Sequence, residues 1–311
     1  MATIDNITTS QIPANVGIGS KYFNPKLVKG ALIVPKGTII TTANLSTLQT
    51  VLQGLAQNDT KDARLYPIAN FVDFKDNSEK PVTQSFGYGA EVTVRDGIQK
   101  WAFQFIKGGK TLNDALRTFN GDLWDFFFVD QKNVLFGKTC STGIQAIPSI
   151  EIYTDPLILN DGKKIAEYVI NFKFDPKYLN EEGAFIADAD FDILDTIFGL
   201  QDLVLTGVLS GTAKTLNLTV KSIMGQNIGA LYTSGTTGLG NKAVWTCVDD
   251  GGASVTISTM TWNSLGYFVA VCTTGYPISG KVHFNLVGPT ALAAAGVAGF
   301  ESAGEVAITA V

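Results

Sequence analysis

The chain has 311 residues, 45% hydrophobic and 16% charged, with a formal net charge of −5 and a pI near 5.0. That is enough apolar material for a packed core and too little charge for a disordered chain, and it leaves room for one large or two medium domains. Nothing basic enough to grip a phosphate backbone is present, so specific nucleic-acid binding is not expected, and no run of roughly 18 apolar residues offers a membrane span.

The 32 glycines and 19 phenylalanines favour strands and tight turns over helices, and the expected class is mainly β. Residues 1–30 are polar and carry Pro13, Gly17, Gly19 and Pro25. They read as an extended N-terminal arm, either ordered against a neighbouring subunit or simply frayed. The start has neither the basic nor the apolar region of a signal peptide.

The segment 31–198 reads as a β-rich assembly domain. Residues 31–40 form a strand interrupted by a Pro-Lys-Gly turn. A helix is expected near 42–57, with Thr42 as cap and Leu45, Leu48, Leu52 and Leu55 at helical spacing. Residues 65–74 are strand-like, and 75–85 form a polar loop. Phe86, Tyr88, Ala90, Val92 and Val94 then alternate with polar or small residues, which predicts a half-buried strand. Asp96-Gly97 signals a turn to a second strand holding Trp101, Phe103 and Phe105, and the two strands are expected to pair.

A second helix is expected near 111–120, capped by Thr111, with Leu112, Ala115, Leu116 and Phe119 on its apolar side. Strands follow at 123–129 and 134–136, and a hairpin joins 147–159 to 165–174. Residues 175–200 read as a junction. Beyond it aromatics thin out, and short strands recur at the spacing of a β-sandwich: 202–209, 216–221, 243–248, 254–258, 267–272, 281–287 and 305–311. The segment 199–311 is thus expected to be an immunoglobulin-like β-sandwich. Its most apolar part, 286–300, reads as buried strand and turn.

No catalytic, cofactor-binding or metal-binding residue is assigned, and the chain is not expected to be an enzyme. The single histidine, His283, lies in a strand-like segment and rules out a two-histidine metal site. A serine triad would have to recruit it without a G-x-S-x-G elbow. Gly137-Lys138-Thr139 ends like a phosphate loop, but Lys132 stands where the first glycine belongs, and no helix is expected next. Gly87 and Gly89 lack the third glycine of a dinucleotide fingerprint. Asp188, Asp190 and Asp192 have the first spacings of a calcium loop, but Ile193 replaces its glycine and Gly199 its last acid. The better reading there is a strand with one acidic face. Trp101 and Trp124 sit in alternating strands, where core packing is the default. Cys140, Cys247 and Cys272 lack any CxxC spacing and read as buried thiols of a reducing compartment. A Cys247–Cys272 bridge stays open.

A polar arm, aromatic hairpins, a lone amphipathic helix among strands, a polar loop near 75–85 and an appended sandwich together resemble virion proteins of tailed bacteriophages. The nearest likeness is to tail-tube proteins with a C-terminal immunoglobulin-like domain. The resemblance is architectural and transfers no functional residue. It implies an N-terminal β-sandwich or barrel carrying one or two amphipathic helices. It implies self-assembly into a homo-oligomer, as hexameric rings or a tube that conducts DNA, with other virion proteins as further partners. The protein would be made in the host cytoplasm and reside in the virion. The loop 75–85, its flanking strands and the arm would make the contacts between subunits or rings. The competing readings are a phage capsid protein, as decoration or shell subunit, and a virion-borne carbohydrate- or surface-binding module.

Overall fold

The computed structural model describes residues 2–8, 26–122, 124–174, 182–187, 189–210, 214–277 and 280–310. The chain is mainly β, with several sheets and few helices. It divides into two compact units, Met1–Gln53 with Asp62–Phe198 and Gly54–Lys61 with Gly199–Val311.

In the first unit the strands are β1 (Thr3–Thr8), β2 (Val28–Val34), β3 (Ile39–Thr41), β4 (Tyr66–Ile68), β5 (Asp73–Asp76), β6 (Val82–Ser85), β7 (Glu91–Arg95), β8 (Gln99–Phe105), β9 (Asp125–Asp130), β10 (Leu135–Cys140), β11 (Gly143–Gln145), β12 (Ile147–Thr154), β13 (Tyr168–Phe174) and β14 (Glu182–Ala187). All but β6 and β7 join one 12-stranded sheet, whose main path runs β1-β14-β10-β9-β12-β13-β8-β5.

The sheet turns on β12. Ile147 and Pro148 pair with β9, and from Ser149 the strand pairs with β13, with a register shift between Ser149 and Glu151. An extra residue of this kind bends a strand. Phe126 and Phe128 of β9, Phe103 and Phe105 of β8, and Phe172 and Phe174 of β13 share one core, each at most 2% exposed. Trp101 meets the edge of Phe128 at 4.7 Å between ring centroids, and Phe126 meets Phe172 at 4.8 Å. Every residue of β9 is buried, so this strand is covered on both faces. Its two aspartates survive burial because backbone N–H groups satisfy them. Gly37 N donates to Asp125 at 2.6 Å, while Lys26, Lys132 and Val134 donate to Asp130 at 3.1, 2.8 and 3.0 Å.

Several boundaries differ from the sequence expectation. Within the expected arm, Thr3–Thr8 is β1, antiparallel to β14 of the same chain, and β2 already begins at Val28. The unpaired edge of β14 supplies the backbone partners that a free arm would lack. The rest of the arm, 9–25, lies outside the described residues, as does 175–181 of the expected junction, which otherwise holds β14. The first helix is a 3-10 turn, Thr42–Thr47, running into an α-helix, Leu48–Ala56, with Leu48 and Leu52 buried. The second spans Gly109–Arg117 and begins after Gly108 at φ +83°, so Thr111 lies inside it rather than at its cap. Only glycine takes that conformation cheaply, and it starts the helix early.

The second unit contains β15 (Leu203–Leu209), β16 (Thr215–Ser222), β17 (Trp245–Asp249), β18 (Ile257–Asn263), β19 (Tyr267–Cys272), β20 (Lys281–Leu286) and β21 (Val306–Thr309). They form a four-stranded sheet, β15-β16-β19-β18, and a three-stranded sheet, β17-β20-β21. Leu205, Leu218 and Phe268 from the first and Trp245, Phe284 and Ile308 from the second fill a single core. Gly207 lets β15 approach β21 closely: a Cβ there would sit 2.4 Å from Ile308 Cδ1.

The apolar stretch 286–300 is not only strand and turn. Pro289–Ala294 is a helix with Pro289 in its first turn, where proline is well tolerated. Asp59 accepts from Thr290 N at 2.9 Å, so an acid distant in sequence satisfies the helix start.

Candidate assembly surface

Among the described residues the hairpin β6–β7 pairs only with itself. Its register sets Thr83 against Thr93, Gln84 against Val92 and Ser85 against Glu91, with a shift beside Val82 and Arg95. Phe86 N donates to Ala90 O at 2.8 Å, and Gly89 at φ +77° closes the turn. The expected single strand over 86–94 is therefore a turn followed by β7, and it is exposed rather than half-buried. The residues at 82–85, expected as loop, are the partner strand. β7 does not pair with β8, which lies instead between β5 and β13. An alternating pattern reports a two-sided strand; it does not say whether the apolar side finds cover within the chain.

Paired residues share a face. Val82, Gln84, Phe86, Ala90 and Val92 lie on one side, and Thr83, Ser85, Glu91 and Thr93 on the other. Every residue from 80 to 96 is exposed. Phe86 is 51% exposed, Val92 52%, Val94 61%, and Tyr88 at the tip is fully open. An isolated two-stranded hairpin is marginal in water, and contiguous exposed apolar surface marks a contact site.

The neck of this hairpin is held by the sheet. Beyond β5 the ladder continues with Asn77 N to Lys100 O at 2.7 Å and Glu79 N to Ile98 O at 2.9 Å. Gly97 is buried against Glu79, and a Cβ on it would lie 1.8 Å from the Glu79 carbonyl oxygen. Glu79 Oε1 accepts from Lys100 Nζ at 2.5 Å, and Arg95 lies 3.9 Å from the other oxygen. The Lys100 hydrogen bond holds the Glu79 carboxyl below its ordinary range.

The outer face of β12-β13-β8-β5 is different in kind. Lys173 pairs with Glu151, Gln104 donates to Glu167 at 2.5 Å, and Lys75 donates to Gln104 at 2.9 Å. That face is laced with polar pairs, so the hairpin's apolar side stands out against it.

Gly137, Lys138 and Thr139 are inside β10, not in a loop before a helix. Asp188 lies outside the described residues. Asp190 is exposed, and Asp192 caps the helix Ile193–Thr196, accepting from Leu194 N and Asp195 N and pairing with Lys29 at 3.1 Å. The acidic strand expected there is thus a cap and a short helix, because an aspartate before a helix satisfies its first N–H groups. Trp124 packs edge-on against Tyr66 and Phe119, as a core residue does. His283 lies between Asp250 Oδ1 at 2.9 Å and Glu305 Oε1 at 2.5 Å, and both acids raise its pKa. Among the described residues no group of three His, Cys, Asp or Glu side chains could hold a metal ion. No helix among them is long and apolar enough to cross a membrane. No family model matches the chain, and no curated protein sequence does.

Proposed function

We propose that this chain is a structural subunit of a tailed-bacteriophage virion. It self-assembles into rings or a tube that conducts DNA, and its second unit is an immunoglobulin-like β-sandwich. The observation that carries the reading is the hairpin β6–β7, an apolar face and two strand edges with no cover among the described residues, on a neck fixed by Glu79, Gly97 and Lys100. A second copy is the occupant: each hairpin edge adds to a neighbour's sheet while the apolar face packs on it. Repetition around a ring buries every such edge. The net charge of −5 suits a passage that repels DNA instead of binding it.

Negative-stain microscopy and light scattering of the purified full chain test this. A Val92→Lys, Val94→Glu variant is the comparison, since both sites are exposed and the fold should persist. A deletion of 75–85 is less clean, because it removes part of β5. Rings or tubes in the natural chain and monomers of unchanged circular dichroism in the variant support the reading. Monomers of the natural chain at high concentration, closed capsid-sized shells, or assemblies indifferent to the substitutions overturn it.

A further inference from the structure

We infer that the aromatic tip of the hairpin β6–β7 seats in a groove of a second copy, at the other end of the β5–β8 ladder. The inference rests on the assembly reading above and names the receptor for the hairpin. The groove has a volume of about 340 Å³ and is lined by Leu27, Phe71, Val72 and Leu194, with Asn70 and Gln131 among its polar groups. Leu27 is 56% exposed and Val72 50%. Phe71 gives the groove a stiff wall, because its ring stacks on core Phe103 at 4.2 Å between centroids. A wall already fixed in this way loses little conformational freedom when it is covered.

Groove and tip lie at opposite ends of one ribbon. Val72 N donates to Gln104 O at 2.8 Å beside the groove, β5 then pairs with β8, and the ladder runs on through Glu79 N to Ile98 O before β6 and β7 take it up. At about 3.3 Å per residue, the leg from Val72 to Phe86 is on the order of 45 Å long when extended. All of residues 80–96 are exposed and none of them lines the groove, so the tip does not fill the groove of its own chain. The two surfaces match in chemistry. Residues 86–90, Phe-Gly-Tyr-Gly-Ala, carry no charge. The Tyr88 ring is apolar, and its hydroxyl needs a partner on burial, which Asn70 or Gln131 can give. The volume is at the low end of the roughly 300–1,000 Å³ of ligand pockets, which suits a side chain and not a whole strand. A tip in the next copy's groove is a head-to-tail contact. It leaves a free tip and a free groove at the ends, so it closes into a ring or continues as a filament instead of stopping at a dimer.

The experiment places photoreactive benzoyl-phenylalanine at position 88 of the full chain and mixes it, as a minor component, with isotopically heavy natural chain. The mixture is illuminated under assembly conditions and the links are mapped by mass spectrometry. The expected result is links between copies, from position 88 to Leu27, to the segment 69–74 or to Leu194. Heavy Val72→Lys chain of unchanged circular dichroism, offered as the partner instead, should give about tenfold fewer such links. Assembled chains linked elsewhere, hairpin to hairpin included, or links as abundant with Val72→Lys as with the natural chain, overturn the inference and leave self-assembly through the hairpin standing. A natural chain that stays monomeric overturns both.

Discussion

Glu79 accepts from Lys100 at 2.5 Å where the hairpin β6–β7 leaves the sheet, and the same glutamate's carbonyl presses on Gly97. This pair orients the apolar face without touching it. Lys100→Met should keep the fold and loosen the hairpin, with weaker assembly read by light scattering. The pair also predicts an acid dependence. The Glu79 carboxyl titrates below its ordinary 4.5, so its contribution is present above pH 4.5 and is lost as pH falls through the lowered value. The natural chain and Lys100→Met should converge in assembly as pH falls from 4.5 through that lowered value. A gap that stays constant across that range would show that the pair does not act on assembly.

Gly97→Val tests the neck by shape. The new side chain must displace the Glu79 backbone, since even a Cβ would lie 1.8 Å from its oxygen. Amide exchange should rise over 77–100 while the aromatic core stays protected. Unchanged exchange there would mean that the neck yields at no cost.

Much of the fold was legible because its strands are two-sided and their apolar sides find each other. β13 shows this: Tyr168, Ile170, Phe172 and Phe174 are buried in strict alternation. The exposed hairpin was harder to read for the same reason. Phe86, Val92 and Val94 carry the pattern of a half-buried strand, and periodicity is blind to whether the cover comes from the chain or from a partner. The turn at Gly87-Tyr88-Gly89 was the available signal. In the second unit Gly288-Pro289-Thr290 was the signal for a helix start, and the apolar run around it hid it. Asp59 gave none, because a cap supplied from distant sequence has no local pattern.

Phe128 is the centre of the aromatic core, with the rings of Trp101, Phe136 and Phe174 at 4.7, 5.5 and 5.5 Å. Phe128→Ala leaves a cavity ringed by stiff aromatics that collapse poorly. It should cost about 3–5 kcal/mol, seen as a lower guanidinium midpoint. A cost near 1 kcal/mol, roughly that of an average substitution, would show that the rings close over the gap.

The Asp250–His283–Glu305 cluster ties β20 to the turn after β17 and to the residue before β21. Asp250 Oδ1 meets Nε2, Glu305 Oε1 meets Nδ1, and Lys281 N donates to the other oxygen of Asp250 at 2.8 Å. The hydrogen bonds to Asp250 and Glu305 outweigh the desolvation of the ring, and His283 titrates above its ordinary 6.5. A protonated ring donates to both acids at once; a neutral ring donates to only one. The stabilisation is therefore full below pH 6.5 and is lost as pH rises through the raised value. Asp250→Asn should bring the imidazole titration, followed by NMR, back toward 6.5. His283→Gln should flatten the fall in thermal stability of the natural chain above that pH. A ring that titrates at or below 6.5 in the natural chain would mean that the acids do not hold it.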